Sequence, residues 1–283
     1  MQVRPPHFAE QGWYPAESRA CQRAIDEYLR SFAGTPSASV AGIVPHAGWV
    51  FSGRIAALTF AALRPAAPDL VLLFGGHMRP GERPVCMTSG AFGTPIGEVA
   101  VDADFAAALA TEFGAEIETP DRFYPDNTIE LQLPFVRAIW PDCPVVAVQV
   151  APGAGALEMG RWAADRASGN GRRAVAIGST DLTHYGRNYG FMPKGAGEQA
   201  LRWSREENDR PFIDRLLALD AAAAMEHALA NHSACCPGAA GAATAFAAAR
   251  GATGGQLLEH STSFDVEKRG SPSMWVGYAS IVF

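Results

Sequence analysis

A single α/β domain over residues 1–283, with a central mostly parallel or mixed sheet flanked by helices, is the fold this sequence predicts. Three observations carry that expectation. Short apolar runs bounded by Gly, Pro or Asp recur along the chain, as strands buried on both faces require. Stretches of helical length and period separate them. Finally, 48% of the residues are hydrophobic and only 18% charged, below the usual quarter, so there is material for a large buried core.

The elements follow in order. Residues 17–32 predict an amphipathic helix, because Cys21, Ala24, Ile25, Tyr28, Leu29 and Phe32 fall on one stripe at i, i+3, i+4 spacing. Buried strands are expected at Ser39–Val44, Leu70–Phe74, 144–150 (PVVAVQV) and Ala174–Ile177. Helices are expected at 102–113, with Asp102 as N-cap, and at 129–139, 155–167, 211–218, 220–230 and 237–249. The charged patch REENDR at 205–210 reads as a solvated turn or helix end, and MWVGYASIVF at 274–283 as a last strand. No internal repeat or linker divides the chain.

Composition excludes several functions. Net charge is −6 and no Lys/Arg run exceeds two residues, as at Arg172–Arg173, so no nucleic acid partner is expected. The opening MQVRPPHFAEQGW lacks an apolar signal core and no apolar run is long enough for a bilayer, so no membrane partner and a cytoplasmic location are expected. Five cysteines, Cys21, Cys86, Cys143, Cys235 and Cys236, do not form a disulfide framework. The alanine-rich tracts at 221–229 and 239–249 hint at a GC-rich bacterial genome.

The histidines carry the chemistry. His46 follows AGIVP, His77 follows LVLLFGG and His184 follows AVAIGSTDLT, each just past an expected strand. In open α/β sheets ligands bind beyond the carboxyl ends of the strands. One such histidine is usually a cap; three after neighbouring parallel strands point into one crevice. Asp181, three residues before His184, is placed to fix an imidazole tautomer or tune its basicity. His7 and His227 read as surface residues, His232 as a helix end or a support to Cys235, and His260 lies before the final strands.

NHSACCPGAAG at 231–241 is the second signal. Adjacent cysteines are poorly placed to share one tetrahedral ion, so a closed structural zinc site is not expected. A single thiolate at the helix start is, since a helix N-terminus favours the anion. In PDNTIELQLPF, residues 125–135, Asp126 and Glu130 have the placement of ordinary helix N-terminal acids.

Together these segments resemble the Memo-like family, whose members include protein B of the AmmeMemoRadiSam system. GWYPA resembles its FYPA-type opening and PHAGWVFSG its most typical signature. FGGH stands for a GPSH-like turn, GTPIGEVAVD for a TPLG-type segment and DNTIELQLPF for an EHSIE-x-x-LPF segment. STDLTHYG is similar to its SSD-x-x-H motif, and SMWVGYASIVF to its VGYA-type last strand. Seven motifs in order cover nearly the whole chain.

The resemblance implies a fold similar to class III extradiol dioxygenases, which use non-haem Fe(II). It also implies a crevice where two histidines and a cysteine bind iron or copper. Carried over by motif, the metal ligands are His46, His77 and Cys235, the last chosen over Cys236 by the register of Gly241. His184 and Asp181 take the place of the family's further polar residues, as catalytic or supporting groups. Two departures stand out: Asn127 replaces the usual histidine, and Cys236 the usual glycine.

Two functions follow as expectations. One is a redox enzyme using Fe(II) or Cu on a small aromatic or peptide substrate. The other is a non-catalytic metal- or peptide-binding scaffold working with a radical-SAM enzyme and a small companion domain. Hydrolysis by Cys235, His184 and Asp181 is a third, less favoured, reading.

Overall fold

The computed structural model describes residues 2–34, 39–268 and 270–283. The strands are β1 (Val3–Arg4), β2 (Ala41–Val44), β3 (Leu70–Gly75), β4 (Val85–Met87), β5 (Ala91–Thr94) and β6 (Gly97–Ala100). They continue with β7 (Glu116–Glu118), β8 (Val145–Gln149), β9 (Ala174–Ser179), β10 (His184–Gly186), β11 (Gln256–Thr262) and β12 (Met274–Val282). The helices are α1 (Ser18–Arg30), α2 (Trp49–Leu63), α3 (Ala103–Phe113), α4 (Asn127–Glu130), α5 (Leu133–Ile139) and α6 (Ala154–Gly169). Then come α7 (Glu198–Trp203), α8 (Arg210–Leu217), α9 (Ala221–Asn231), α10 (Pro237–Ala249) and α11 (Ser263–Val266).

The main sheet is mixed, in the order β10-β12-β2-β9-β3-β8-β4-β7, with β11 on the other part of β12. Its centre, β2-β9-β3-β8, is parallel. Those four strands are apolar at nearly every position because both faces are covered. In β3, Leu70, Leu72 and Phe74 join the core shared with α6, α8, α9 and α10, whereas Val71 and Leu73 join the core shared with α1, α2 and α5. Strand alternation thus splits one hydrophobic run between two layers. A small sheet, β1-β5-β6, sits apart.

Most expected elements lie within a few residues of their predicted ends, and Asp102 caps α3 by accepting from Phe105 N–H. Three differ for physical reasons. The helix expected at 129–139 is broken at Leu131–Gln132 into α4 and α5, because Pro134 offers no N–H to continue the ladder. Helix α2 has no counterpart in the sequence reading. Twelve of its fifteen residues are buried, so it lacks the polar face that reveals a helical period. REENDR is not a solvated turn: Ser204–Asp209 is a π-helical turn between α7 and α8, and Asn208 and Asp209 are buried.

Helix α10 brings the cysteines to the sheet. Eleven of its thirteen residues are buried, almost all of them Ala or Gly, and this lets it lie very close to α6 and β9. A Cβ on Gly160 of α6 would fall 2.1 Å from Ala242 O, and one on Gly178 of β9 would fall 2.7 Å from Ala239 O. The small residues therefore set the height of α10 above the strand ends. Gly160→Ala is expected to lower stability by about 1–3 kcal/mol through overpacking, read as a lower urea midpoint with unchanged slope.

Candidate metal centre

Three adjacent parallel strands deliver the polar groups to one edge. His46 follows β2 through Pro45, His77 follows β3 through Gly75–Gly76, and Asp181 and His184 follow β9. Gly76 is needed at its turn: its φ is +93°, and a Cβ there would sit 2.5 Å from the Gln149 side chain. Its N–H donates to Thr128 Oγ1 at 2.7 Å, which anchors the chain just before His77.

Asp181 ties the strand ends to the cysteines. Its Oδ1 accepts from His46 N–H at 2.7 Å, and its backbone carbonyl accepts from Cys235 N–H at 3.1 Å. Thr180 Oγ1 accepts from Cys236 N–H at 3.1 Å. The His46 ring is fixed at both nitrogens: Nδ1 meets Ser179 Oγ at 3.0 Å and Nε2 meets Cys235 Sγ at 3.2 Å. The His77 ring stands edge-on to it, centroids 5.0 Å apart.

His46, His77, Cys235 and Cys236 each place a nitrogen or sulfur within 4.8 Å of all the others. Although adjacent in sequence, Cys235 and Cys236 thus bring both sulfurs to one cluster. Cys236 is the N-cap of α10, with non-helical φ −127° and ψ 60°, and its Sγ lies 3.6 Å from Cys235 Sγ.

The electrostatics follow from burial and neighbours. Burial opposes charge on His46, but the Asp181 carboxylate and the Cys235 sulfur outweigh it and hold its pKa at about 9. Burial opposes ionisation of Cys235 as well; the Cys236 thiol and the His46 imidazole overcome it, so its thiol titrates well below the ordinary value. Burial and the neighbouring Cys235 sulfur push Cys236 the other way. His184 is raised against its burial by Asp181 and Cys235.

His184 Nε2 is buried without a hydrogen-bond partner, with Asp181 Oδ2 3.8 Å away. A carboxylate, two nearby imidazoles, a low-pKa thiol and an unspent ring nitrogen suit a cation; imidazole donors suit iron, copper or zinc, and a thiolate shifts the preference toward softer ions. The thiol–imidazole contact that nucleophilic hydrolysis needs runs from Cys235 to His46 and not to His184.

Two cavities meet here. One, of about 410 Å³, is lined by Leu182, Phe191, Leu229 and Cys235; the other, of about 400 Å³, by His46, His77, Asn127, Phe51 and Tyr278. His184 and Tyr189 line both, and neither holds a Lys or Arg. Phe51 thus faces the crevice, whereas Trp49 is buried against Tyr14 and Phe135. Asn127 donates from Nδ2 to His46 O at 3.1 Å, holding the loop.

Other residues play parts that the sequence reading did not assign. Glu130 is no ordinary helix acid: it is buried and accepts from His7 N–H, Phe8 N–H and Tyr14 OH, tying the N-terminal segment beside the crevice. Asp209, fully buried, accepts from Thr183 N–H at 3.1 Å and faces His260 Nε2 at 3.2 Å, which braces the loop carrying His184. His227 is turned inward, its Nε2 3.0 Å from Asn208 O. His232 caps the end of α9 with φ +52°. Ser179 and Thr180 were legible in STDLTH as hydroxyls directly after a strand; Asp209, inside a charged run, carried no such signal.

In the metal-free protein, imidazole NMR should place the His46 titration near pH 9, and Asp181→Asn should move it down. Because the folded-state pKa is raised, the stability His46 contributes is full below its ordinary 6.5 and is lost as pH rises through about 9. Denaturation midpoints across that window should fall less steeply in Asp181→Asn.

A family model described as Memo-like protein matches residues 4–282. A MEMO1 family protein of Thermococcus onnurineus is 32% identical over 99% of both chains. One of Pyrococcus horikoshii is 33% identical over 92% of this chain and 94% of its own, and one of Methanopyrus kandleri 33% over 99% and 98%. A solved chain, an uncharacterized protein of Escherichia coli K12, aligns at 14% identity and TM-score 0.48, over 84% of this chain and 98% of its own. No helix among the described residues is long and apolar enough to cross a membrane. With the family model and the relatives in agreement over nearly the full length, the chain belongs to the Memo-like family.

Proposed function

We propose that this protein holds iron(II) or copper on His46, His77 and Cys235 and uses it in redox chemistry on a small aromatic or peptide ligand in the adjoining crevice. The observation that carries this reading is the convergence of two imidazoles and a sulfur, from three separate segments, within 4.8 Å at the mouth of an aromatic-lined cavity. A bound ion would supply an electron-transfer centre and a Lewis acid.

The chain's own groups do the rest. Asp181 holds the His46 main chain, and Ser179 at Nδ1 leaves Nε2, beside Cys235 Sγ, as the nitrogen that would face the ion. His184, with its unpartnered Nε2 and the Asp181 carboxylate nearby, is the group that would take or give a proton to a ligand. Trp13, Phe51, Tyr189 and Tyr278 present apolar faces on which an uncharged ring or side chain rests.

One observation favours a second reading, capture of a metal or peptide without turnover, in company with a radical-SAM enzyme and a small companion domain. Asn127, where the resemblance leads to a histidine, is committed to the His46 carbonyl and takes no proton at neutral pH.

Metal analysis of anaerobically purified protein, with oxygen uptake recorded after iron or copper loading, separates the two. About one ion per chain in the wild type is expected, lost by about tenfold or more in affinity in His46→Ala, His77→Ala and Cys235→Ala. Ligand-stimulated oxygen uptake supports the enzyme. Metal with no uptake across an aromatic and peptide screen supports capture. A folded wild type that takes up neither ion sinks the iron or copper centre and leaves capture of a peptide.

A further inference from the structure

The donor group holds one sulfur more than the three-residue set uses. Two thiolates on one ion at about 2.3 Å, with a tetrahedral angle between them, stand about 3.8 Å apart, and a thiolate and an imidazole about 3.5 Å. Here the two sulfurs are 3.6 Å apart, and Cys235 Sγ is 3.2 Å from His46 Nε2. Both separations lie within a few tenths of an ångström of those edges.

Neighbouring residues reach this arrangement because each is pinned separately. Cys235 N–H is held by the Asp181 carbonyl and Cys236 N–H by Thr180 Oγ1, so β9 sets both from one strand end. Cys236 is buried, and the hydrogen-bond partner of its sulfur is Cys235. The residue packs in the core below the cluster, and its sulfur is turned toward Cys235 at a position where the resemblance leads to glycine.

We propose that Cys236 is a fourth donor, so that this chain holds a thiophilic d¹⁰ ion, zinc(II) or copper(I), on two imidazoles and two thiolates rather than iron(II) on three ligands. The inference rests on His46, His77 and Cys235 being ligands; it keeps copper, adds zinc(II) and removes iron(II). Each coordinated thiol gives up its proton on binding, so two thiolates balance the charge of a divalent ion. Sulfur donors select copper(I) and zinc over iron(II). Four protein donors also leave no open position, which turns the centre toward holding an ion rather than presenting it to oxygen.

Cobalt(II) is the probe, titrated anaerobically into the full chain. Wild type, Cys236→Ser, Cys236→Gly and Cys235→Ser are compared, with near-ultraviolet circular dichroism confirming that each is folded. Sulfur-to-cobalt charge-transfer absorption per bound ion scales with the number of thiolates. It should fall by about half in both Cys236 variants, and the preference for zinc(II) over iron(II) should drop by about tenfold or more. Competition by zinc(II) and by copper(I), measured separately, identifies which ion the wild type favours.

Equal absorption in wild type and Cys236→Ser overturns the fourth donor and leaves the three-ligand site standing, as does iron(II) displacing zinc(II) from the wild type. Folded wild type that binds no cobalt, zinc or copper overturns the metal site itself.

Discussion

Asp181 joins the parts of this protein that would otherwise be separate. Its carboxylate accepts the His46 N–H and its carbonyl accepts the Cys235 N–H, so one buried residue fixes a loop after β2 and the approach to α10. Such a charge is costly to bury unless its oxygens are engaged. Here Oδ1 is engaged by the main chain, while Oδ2 lies 3.9 Å from His46 Nε2 and 3.8 Å from His184 Nε2. The residue cannot relax without loosening both imidazoles.

That arrangement depends on the sheet beneath it. Parallel pairing of β2, β9 and β3 brings their carboxyl ends to the same edge, and the register Val44↔Ser179 places the two loops side by side. Above the edge, the alanine and glycine surface of α10 lets its N-terminus descend until the cysteines reach the histidines. Bulkier side chains on α6 or α10 would lift the sulfurs away from the imidazoles without touching either. The core and the centre are therefore parts of one packing solution.

Much of this was legible in the sequence, and the remainder was hidden for identifiable reasons. The four central strands declare themselves by apolar runs with clear boundaries, and His46, His77 and Asp181 by their place just beyond them. Helix α2 was hidden because a helix buried on nearly all sides has no periodic contrast. Asp209 was hidden because a buried carboxylate in REENDR looks like its solvated neighbours; only the fold reveals Thr183 and His260 around it. Glu130 lies on a short helix but serves the chain more than a hundred residues earlier, a pairing no local pattern encodes. The closeness of the two cysteine sulfurs was hidden for another reason. Adjacency in sequence says nothing of side-chain direction until the backbone angles at Cys236 are known.

The two departures from the family pattern fall on the same centre and push it the same way. Replacing histidine by Asn127 removes a group that could carry a proton or bind an ion, and its amide is spent on the His46 carbonyl. Cys236, where the resemblance leads to glycine, places a second sulfur next to the low-pKa thiol of Cys235. A centre altered in that sense loses capacity for proton transfer and gains affinity for soft cations. Asn127 lies at the start of a short helix, and Cys236, before the start of a long one, is buried in the core shared with the sheet. Both positions flank helix starts and neither pairs in the sheet, so side chains there bear on the cluster without touching strand register.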